Sequence, residues 1–261
     1  MSDASSSPVV QPKPQPVPWN PWLGMLFIIG IFYGSQFLAG IMLSLIPLFT
    51  GWSEKQTNTW FDANSILLQF AVILLSTVFT LLITRWFLKL YKLDFGFLGL
   101  KKPKWYEPLL GLGMVPAYYI VFGMVVAIVS HFVPSFNVSQ KQEIGFDDVA
   151  GQTEMIVTFV SLVILAPLLE EIVFRGFIYK TLRTPFAIPV AAVVTSLLFG
   201  AGHLLEGGSD GLLYVGALQT FILSLFLVGL RQKTHNLWPG ITLHASNNLI
   251  AFLALYVFHT A

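Results

Sequence analysis

The dominant pattern along the chain is a series of long apolar runs separated by short polar connections. Each run holds about 20 mostly hydrophobic residues, the length that an α-helix needs to cross a bilayer core roughly 30 Å thick. The runs are continuous rather than alternating, which favours helices over the strands of a membrane barrel. The pattern predicts seven membrane helices, at about Trp22–Phe49, Ile66–Tyr91, Pro108–Val133, Met155–Leu182, Pro185–Leu205, Leu212–Arg231 and Leu237–Phe258.

A polar segment rich in proline precedes the first run. Residues 1–20 therefore predict a disordered or polyproline tail, because they offer little apolar surface to bury. No basic region followed by a short apolar core marks a cleavable signal peptide, so we expect the first helix to direct insertion. We divide the chain into this tail, N-terminal membrane helices over residues 21–153 and a C-terminal membrane core over residues 154–261.

Composition supports an all-α, polytopic transmembrane bundle. The chain is 55% hydrophobic and only 10% charged, with a mean hydropathy of +0.74, whereas soluble domains carry about 25% charged residues. The formal net charge of +1 argues against a nucleic-acid partner. The absence of cysteine excludes disulfides, thiol nucleophiles and thiolate metal sites.

The positions of the charges test the number of helices. If the N-terminus is cytoplasmic, seven helices place all but Lys55 and Lys141 of the 14 basic residues at the cytoplasmic face. This distribution obeys the positive-inside rule and predicts a C-terminus on the opposite face. An amphipathic or re-entrant piece at Phe95–Tyr106 would add an eighth element without breaking the pattern. We expect a multi-pass protein of a bacterial cell membrane.

Two adjacent carboxylates, Glu170 and Glu171, interrupt the fourth apolar run. An ionised group at the centre of a membrane helix costs roughly 2.5 to 3.5 kcal/mol on insertion-derived scales. Ionisable residues at such depth usually mark a functional site. Other polar groups follow in the last four runs: Arg175, His203, His244 and Asn248.

Helical spacing relates these groups to one another. Glu171 and Arg175 are four residues apart, so they share a face and can pair, while Glu170 points about 100° away. His244 and Asn248 also share one face. Pro167 lacks an N–H and crowds the carbonyl of the preceding turn, so the helix should kink there and leave carbonyls free. Counting residues along the helices places the site in the cytoplasmic half to the middle of the membrane.

Structural explanations compete with functional ones for single residues. Arg175 could extend to the membrane surface instead of pairing. Asn247, Gln69 and Gln219 are better explained as hydrogen-bond partners between packed helices. A purely structural account is hardest to sustain for Glu170, Glu171, His203 and His244 together, because their insertion penalties add.

Three motifs in order resemble the CPBP family, which comprises CAAX-type prenyl proteases and bacteriocin-processing or immunity proteins and is also called Abi or Rce1-like. The motifs stand here as Glu170-Glu171-x-x-x-Arg175, Phe199-x-x-x-His203 and His244-x-x-x-Asn248. The resemblance covers about Met155 to Phe258 and implies an intramembrane endopeptidase that acts near the cytoplasmic face.

Residue chemistry suggests roles for these groups. Peptide hydrolysis needs a base for water and donors for the developing oxyanion. We expect Glu170 and His203 to hold and activate the water, and His244 and Asn248 to polarise the scissile carbonyl. Glu171 and Arg175 would then form a supporting ion pair.

A metal ion is the main alternative for the chemistry. The family is commonly labelled as metalloproteases, and two histidines and a glutamate can bind zinc. The ligands would be Glu170, His203 and His244. We favour a metal-free glutamate protease that requires no cofactor, because the sequence contains no His-Glu-x-x-His segment.

Other functions remain open from the sequence. One is a non-catalytic membrane scaffold or bacteriocin self-immunity factor of the same family. Another is a proton-coupled transporter, since intramembrane Glu and His also serve proton relays, although no repeated half is visible. The expected partners are the lipid bilayer and a protein or peptide substrate, and the sequence does not show whether that substrate is lipidated.

Overall fold

A computed structural model describes residues 16–146, 149–208 and 211–258. Six of its helices are long and apolar enough to cross a membrane. We number the helices of these residues α1 (Pro21–Thr50), α2 (Glu54–Ala63), α3 (Ser65–Leu90), α4 (Tyr106–Phe132), α5 (Gln152–Leu182), α6 (Ile188–Gly202), α7 (Tyr214–Thr234) and α8 (Trp238–Val257).

The six long helices and the shorter apolar α6 agree with the predicted seven. At about 1.5 Å per residue, the 15 residues of α6 reach less far than a full bilayer core. The additional element that the sequence allowed at Phe95–Tyr106 is not a helix, because this segment consists of turns and irregular chain as far as Trp105. The Leu237 N–H donates to the Gly99 carbonyl at 2.9 Å, and this bond ties the segment to the start of α8.

The residues just before α1 are packed against the bundle. Val17 and Trp19, which the sequence assigned to a disordered tail, are buried. The Trp19 ring stacks on Phe177 with 5.0 Å between centroids, and its Nε1–H donates to Thr181 Oγ1 at 3.3 Å. The large apolar ring explains the difference, since proline content alone underestimates the surface that this segment can bury. The rest of the predicted tail, residues 1–15, lies outside the described residues.

Helix α5 departs from α-helical geometry on both sides of the two glutamates. Val160–Leu165 and Glu171–Ile178 are π-helical, whereas Ala166–Glu170 between them is α-helical. Pro167 was predicted to kink the helix, and the structure shows a π-helical stretch just before it. Such stretches are rare and frequently occur at functional sites.

The helices approach one another closely where glycines remove side-chain bulk. A Cβ on Gly200 of α6 would lie 2.8 Å from the Ala217 carbonyl oxygen of α7. A Cβ on Gly111 of α4 would collide with the Pro239 carbonyl of α8. These contacts fix α6 to α7 and α4 to α8, which brings the polar residues of α5, α6 and α8 to one place.

Hydrogen bonds sort the loops into two groups at opposite ends of the bundle. The loop after α4 and the loop after α6 are joined by a hydrogen bond from the Glu143 N–H to the Glu206 carbonyl at 2.7 Å. We call their end of the bundle the acidic face, with the described residues 133–146, 149–151, 203–208 and 211–213. Loops 91–105, 183–187 and 235–237 lie at the other end with residues 16–20, and we call that end the basic face. Its links include Val17 N–H to Thr184 Oγ1 and Lys101 N–H to Asn236 Oδ1.

Candidate functional site

The two adjacent glutamates occupy different environments. The Glu170 side chain is 19% accessible, whereas that of Glu171 is 1% accessible. Glu171 Oε1 lies 2.9 Å from Arg175 NH1, and the Arg175 side chain is completely buried. The predicted ion pair is therefore confirmed, and Arg175 does not extend to the membrane surface.

His244 of α8 links the two carboxylates. Its Nδ1 lies 3.4 Å from Glu171 Oε1, and its Nε2 lies 3.7 Å from Glu170 Oε2. The second distance is too long for a hydrogen bond, so Nε2 is near Glu170 without being tied to it. The histidine nearest to Glu170 in these contacts is thus His244, whereas the sequence had paired Glu170 with His203.

Gly240 makes room for this arrangement one turn before His244. A Cβ at position 240 would lie 2.7 Å from Glu171 Oε2 and 3.5 Å from its carboxyl carbon. Because α8 carries no side chain at this point, the Glu171 carboxylate can lie directly against the helix. Sequence reasoning missed this role, since a Pro-Gly pair near a helix start has ordinary capping explanations.

His203 lies at the C-terminal end of α6, and its ring orientation is fixed by its own helix. Its Nδ1 is 2.8 Å from the Phe199 carbonyl oxygen. Only a protonated nitrogen can donate to a carbonyl, so a neutral ring keeps its lone pair on Nε2. A lone pair on Nε2 suits His203 to accept a hydrogen bond from water.

Phe199 packs among the charged and titratable side chains. The Arg175 guanidinium carbon lies 4.2 Å from the ring centroid of Phe199, within the range of a cation–π contact. The edges of His203 and His244 meet the same ring, with centroids at 4.8 and 5.7 Å. Phe199 therefore contacts all three motifs, which a sequence pattern of bulky apolar residues could not distinguish from core packing.

Asn248 is held by a carbonyl that Pro167 leaves without a partner. In the π-helical stretch, the Ala166 N–H donates to the Ser161 carbonyl, five residues back. The next donor in this register would be position 167, but proline has no N–H. Asn248 Nδ2 donates instead to the Leu162 carbonyl at 2.9 Å. The predicted free carbonyl exists, and a side chain of α8 occupies it.

Asn247 and Tyr119 support Asn248 from the other side. The Tyr119 hydroxyl donates to Asn247 Oδ1 at 3.0 Å, and Asn247 Nδ2 donates to Asn248 Oδ1 at 3.1 Å. The packing role assigned to Asn247 agrees with these bonds. Sequence reasoning missed Tyr119 completely, because nothing in its apolar run separates it from an interfacial tyrosine.

A cavity of about 470 Å³ joins these groups. Glu170, His203, His244 and Asn248 all line it, together with Asn247, Gln69 and Gln219. The sequence-predicted site residues thus converge, with Glu170 facing open space and the Glu171–Arg175 pair behind it. Gln69 and Gln219, for which the sequence favoured a packing role, also line the cavity wall.

The arrangement does not assemble a metal site. Within the three described segments, no group of three His, Cys, Asp or Glu side chains is placed to hold a metal ion. The ligands proposed from the sequence, Glu170, His203 and His244, therefore form no such group in these segments. The chemistry below is therefore derived from side chains alone.

The fold and the site define a class: polytopic helical membrane proteins with a Glu, His and Asn cavity at membrane depth. More particularly, residues 152–250 match the family model described as Type II CAAX prenyl endopeptidase Rce1-like. The match confirms the resemblance seen in the three motifs, and its residues belong to helices α5 to α8. No curated protein and no solved structure matches the chain.

Proposed function

We propose that the protein is an intramembrane endopeptidase of the CAAX-protease type. The observation that carries the proposal is the division of the glutamate pair, in which Glu170 borders the cavity while Glu171 is sealed against Arg175. A carboxylate that faces a cavity beside two histidines has the components of general-base catalysis. The family match to a prenyl endopeptidase model supports the same reaction.

Each side chain has a role in the proposed mechanism. Glu170 takes a proton from water, and the water oxygen forms a bond to the scissile carbonyl carbon. His203 accepts a hydrogen bond from the same water through Nε2, which its bond to the Phe199 carbonyl leaves free. When the carbon–nitrogen bond breaks, the proton on Glu170 passes to the leaving amine.

Asn248 and His244 stabilise the oxyanion in this mechanism. An amide NH₂ has two donors, and only one of those on Asn248 is needed for the Leu162 carbonyl. A His244 ring that is protonated at both nitrogens donates from Nδ1 to Glu171 and from Nε2 toward the cavity. The Glu171–Arg175 pair holds this ring in place, because Glu171 Oε1 contacts both Arg175 NH1 and His244 Nδ1.

The test compares protein fragments in cells that carry wild-type protein or Glu170→Ala, by proteomics of new N- and C-termini. Loss of a general base reduces a rate by about 10² to 10⁴-fold, so a substrate's fragments should disappear in the variant. Glu54→Gln is the control, because it removes an exposed carboxylate of α2 that does not line the cavity, and it should retain the fragments. If Glu170→Ala leaves every fragment and the cellular phenotype unchanged, a non-catalytic scaffold or immunity factor replaces the protease.

Metal dependence is tested separately on the purified active protein. We expect activity to survive dialysis against a strong chelator, and metal analysis to find less than stoichiometric zinc. Stoichiometric zinc, with activity lost on removal and restored on return, would overturn the metal-free mechanism. The substrate is a protein or peptide at the bilayer, and the same fragment comparison would reveal whether it carries a lipid.

A further inference from the structure

The two faces of the bundle differ in charge. The basic face and the helix ends beside it hold Arg85, Lys89, Lys92, Lys101, Lys102, Lys104, Lys180, Arg183, Arg231 and Lys233. On the acidic face, the described residues include Glu143 and Glu206, with Lys141 as their basic neighbour. Excess lysine and arginine marks the cytoplasmic side of a membrane protein. The acidic face is therefore the one directed away from the cytoplasm.

The cavity extends toward the acidic face. Its lining includes Gln142, Glu143, Ile144 and Phe146 from the loop after α4, and Glu206 from the loop after α6. Among the described residues, loops 91–105, 183–187 and 235–237 of the basic face contribute nothing to the lining.

The helix residues that line the cavity also show that it extends toward the acidic face. Helices α3 and α7 begin near the acidic face, and they line the cavity with residues of their N-terminal halves, 69–77 and 219–223. Helix α8 ends near that face and lines the cavity with residues 244–256, whereas its first six residues, 238–243, contribute nothing to the lining. Glu170 and His244 therefore lie at the closed end of the cavity, which extends from them toward the acidic face only.

We propose that the site receives its peptide from the non-cytoplasmic side of the membrane. This inference rests on the proposed function and names its substrate class: segments of proteins that are exposed outside the cytoplasm. It replaces the expectation of cleavage near the cytoplasmic face. That expectation followed from distances along the helices and from the family resemblance, and neither of these shows which end of the cavity is open.

Cysteine labelling tests the orientation without any need for activity. The sequence has no cysteine, so one introduced thiol is the only reactive one. Gln142→Cys reports on the acidic face and Lys102→Cys on the basic face, and both positions are exposed. In a bacterial inner membrane, a membrane-impermeant maleimide should label Gln142→Cys in intact spheroplasts and Lys102→Cys only after permeabilisation. The opposite pattern would overturn the proposal.

A second pair of variants tests the cavity itself. Val72 lines the cavity, whereas Leu74 lies two residues away on α3, points elsewhere and is 39% exposed on the outside of the bundle. A small charged thiol reagent added to intact spheroplasts should modify Val72→Cys and leave Leu74→Cys unmodified. Modification of Val72→Cys only after permeabilisation would show that the cavity opens to the cytoplasm.

These outcomes separate the inference from the proposed function. Labelling of Val72→Cys should be the same when Glu170→Ala is also present, because access does not require cleavage. If labelling comes from the cytoplasmic side while fragments still depend on Glu170, the protease stands and the direction of access is wrong. If labelling is as expected and Glu170-dependent cuts fall in cytoplasmic segments, the substrate class is wrong.

Discussion

The bond between Asn248 and the Leu162 carbonyl predicts an energetic coupling between Asn248 and Pro167. Asn248→Ala removes the donor that substitutes for the missing N–H of position 167. A buried acceptor left without a partner costs about 1 to 3 kcal/mol. Leu162 lines the cavity, so water can replace part of the bond, and we expect a loss of about 1 kcal/mol.

The same substitution should cost much less in a Pro167→Ala background. The alanine introduced by Pro167→Ala would supply an N–H in the register where Ala166 already donates to Ser161, five residues back. The Leu162 carbonyl would then have a backbone donor, and Asn248 would no longer be needed there. The expected coupling free energy in the double-mutant cycle is about 1 kcal/mol, above the usual error for additive sites.

The measurement is the free energy of unfolding of the purified protein in mild detergent micelles, titrated with a denaturing detergent. Ser246→Ala is the matched control on α8, because the Ser246 hydroxyl donates to the Thr242 carbonyl of its own helix at 2.7 Å. Ser246→Ala should change the free energy of unfolding by the same amount in the wild-type and Pro167→Ala backgrounds. An equal cost of Asn248→Ala with and without Pro167 would refute the role given to this bond.

The remaining predictions concern the buried Glu171 carboxylate and its neighbours Arg175 and Gly240. Gly240→Ala places a Cβ 2.7 Å from Glu171 Oε2. Because a displacement of about 1 Å can cost 10²-fold in rate, we expect the cleavage rate to fall about 10 to 100-fold. Gly229→Ala is the control and should retain activity, because a Cβ at position 229 would have nothing within 4 Å. Glu171→Ala leaves the buried Arg175 without its carboxylate, which should destabilise the protein by about 3 to 5 kcal/mol in the same unfolding titration, whereas Glu170→Ala should remain folded. Full activity in Gly240→Ala, or normal stability in Glu171→Ala, would contradict this description.

The sequence predicted the fold well where one physical signal dominates. Long apolar runs locate the membrane helices because the bilayer demands about 20 apolar residues from each. That signal is silent at Phe95–Tyr106, where the segment is held by a bond from the Leu237 N–H to the Gly99 carbonyl. Such a bond joins residues far apart in sequence, and no local pattern encodes it.

The site shows the same division between local and tertiary information. The Glu171–Arg175 pair follows from a spacing of four residues, and the structure confirms it. The approach of His244 to Glu171 depends on Gly240 and on how α8 packs against α5. Which histidine lies beside Glu170 is decided by this packing, so helical periodicity could not supply it.

The anchoring of Trp19 sets an order of events during synthesis. Its hydrogen-bond partner Thr181 is 162 residues further along the chain. At roughly 5 to 20 residues per second, the ribosome takes about 10 to 30 s to make that stretch. Trp19 must therefore wait on its own side of the membrane until α5 has been inserted. A first helix inserted the wrong way round relative to α5 would place Trp19 across the bilayer from Thr181, so this contact can form only when α1 and α5 cross the membrane in opposite directions.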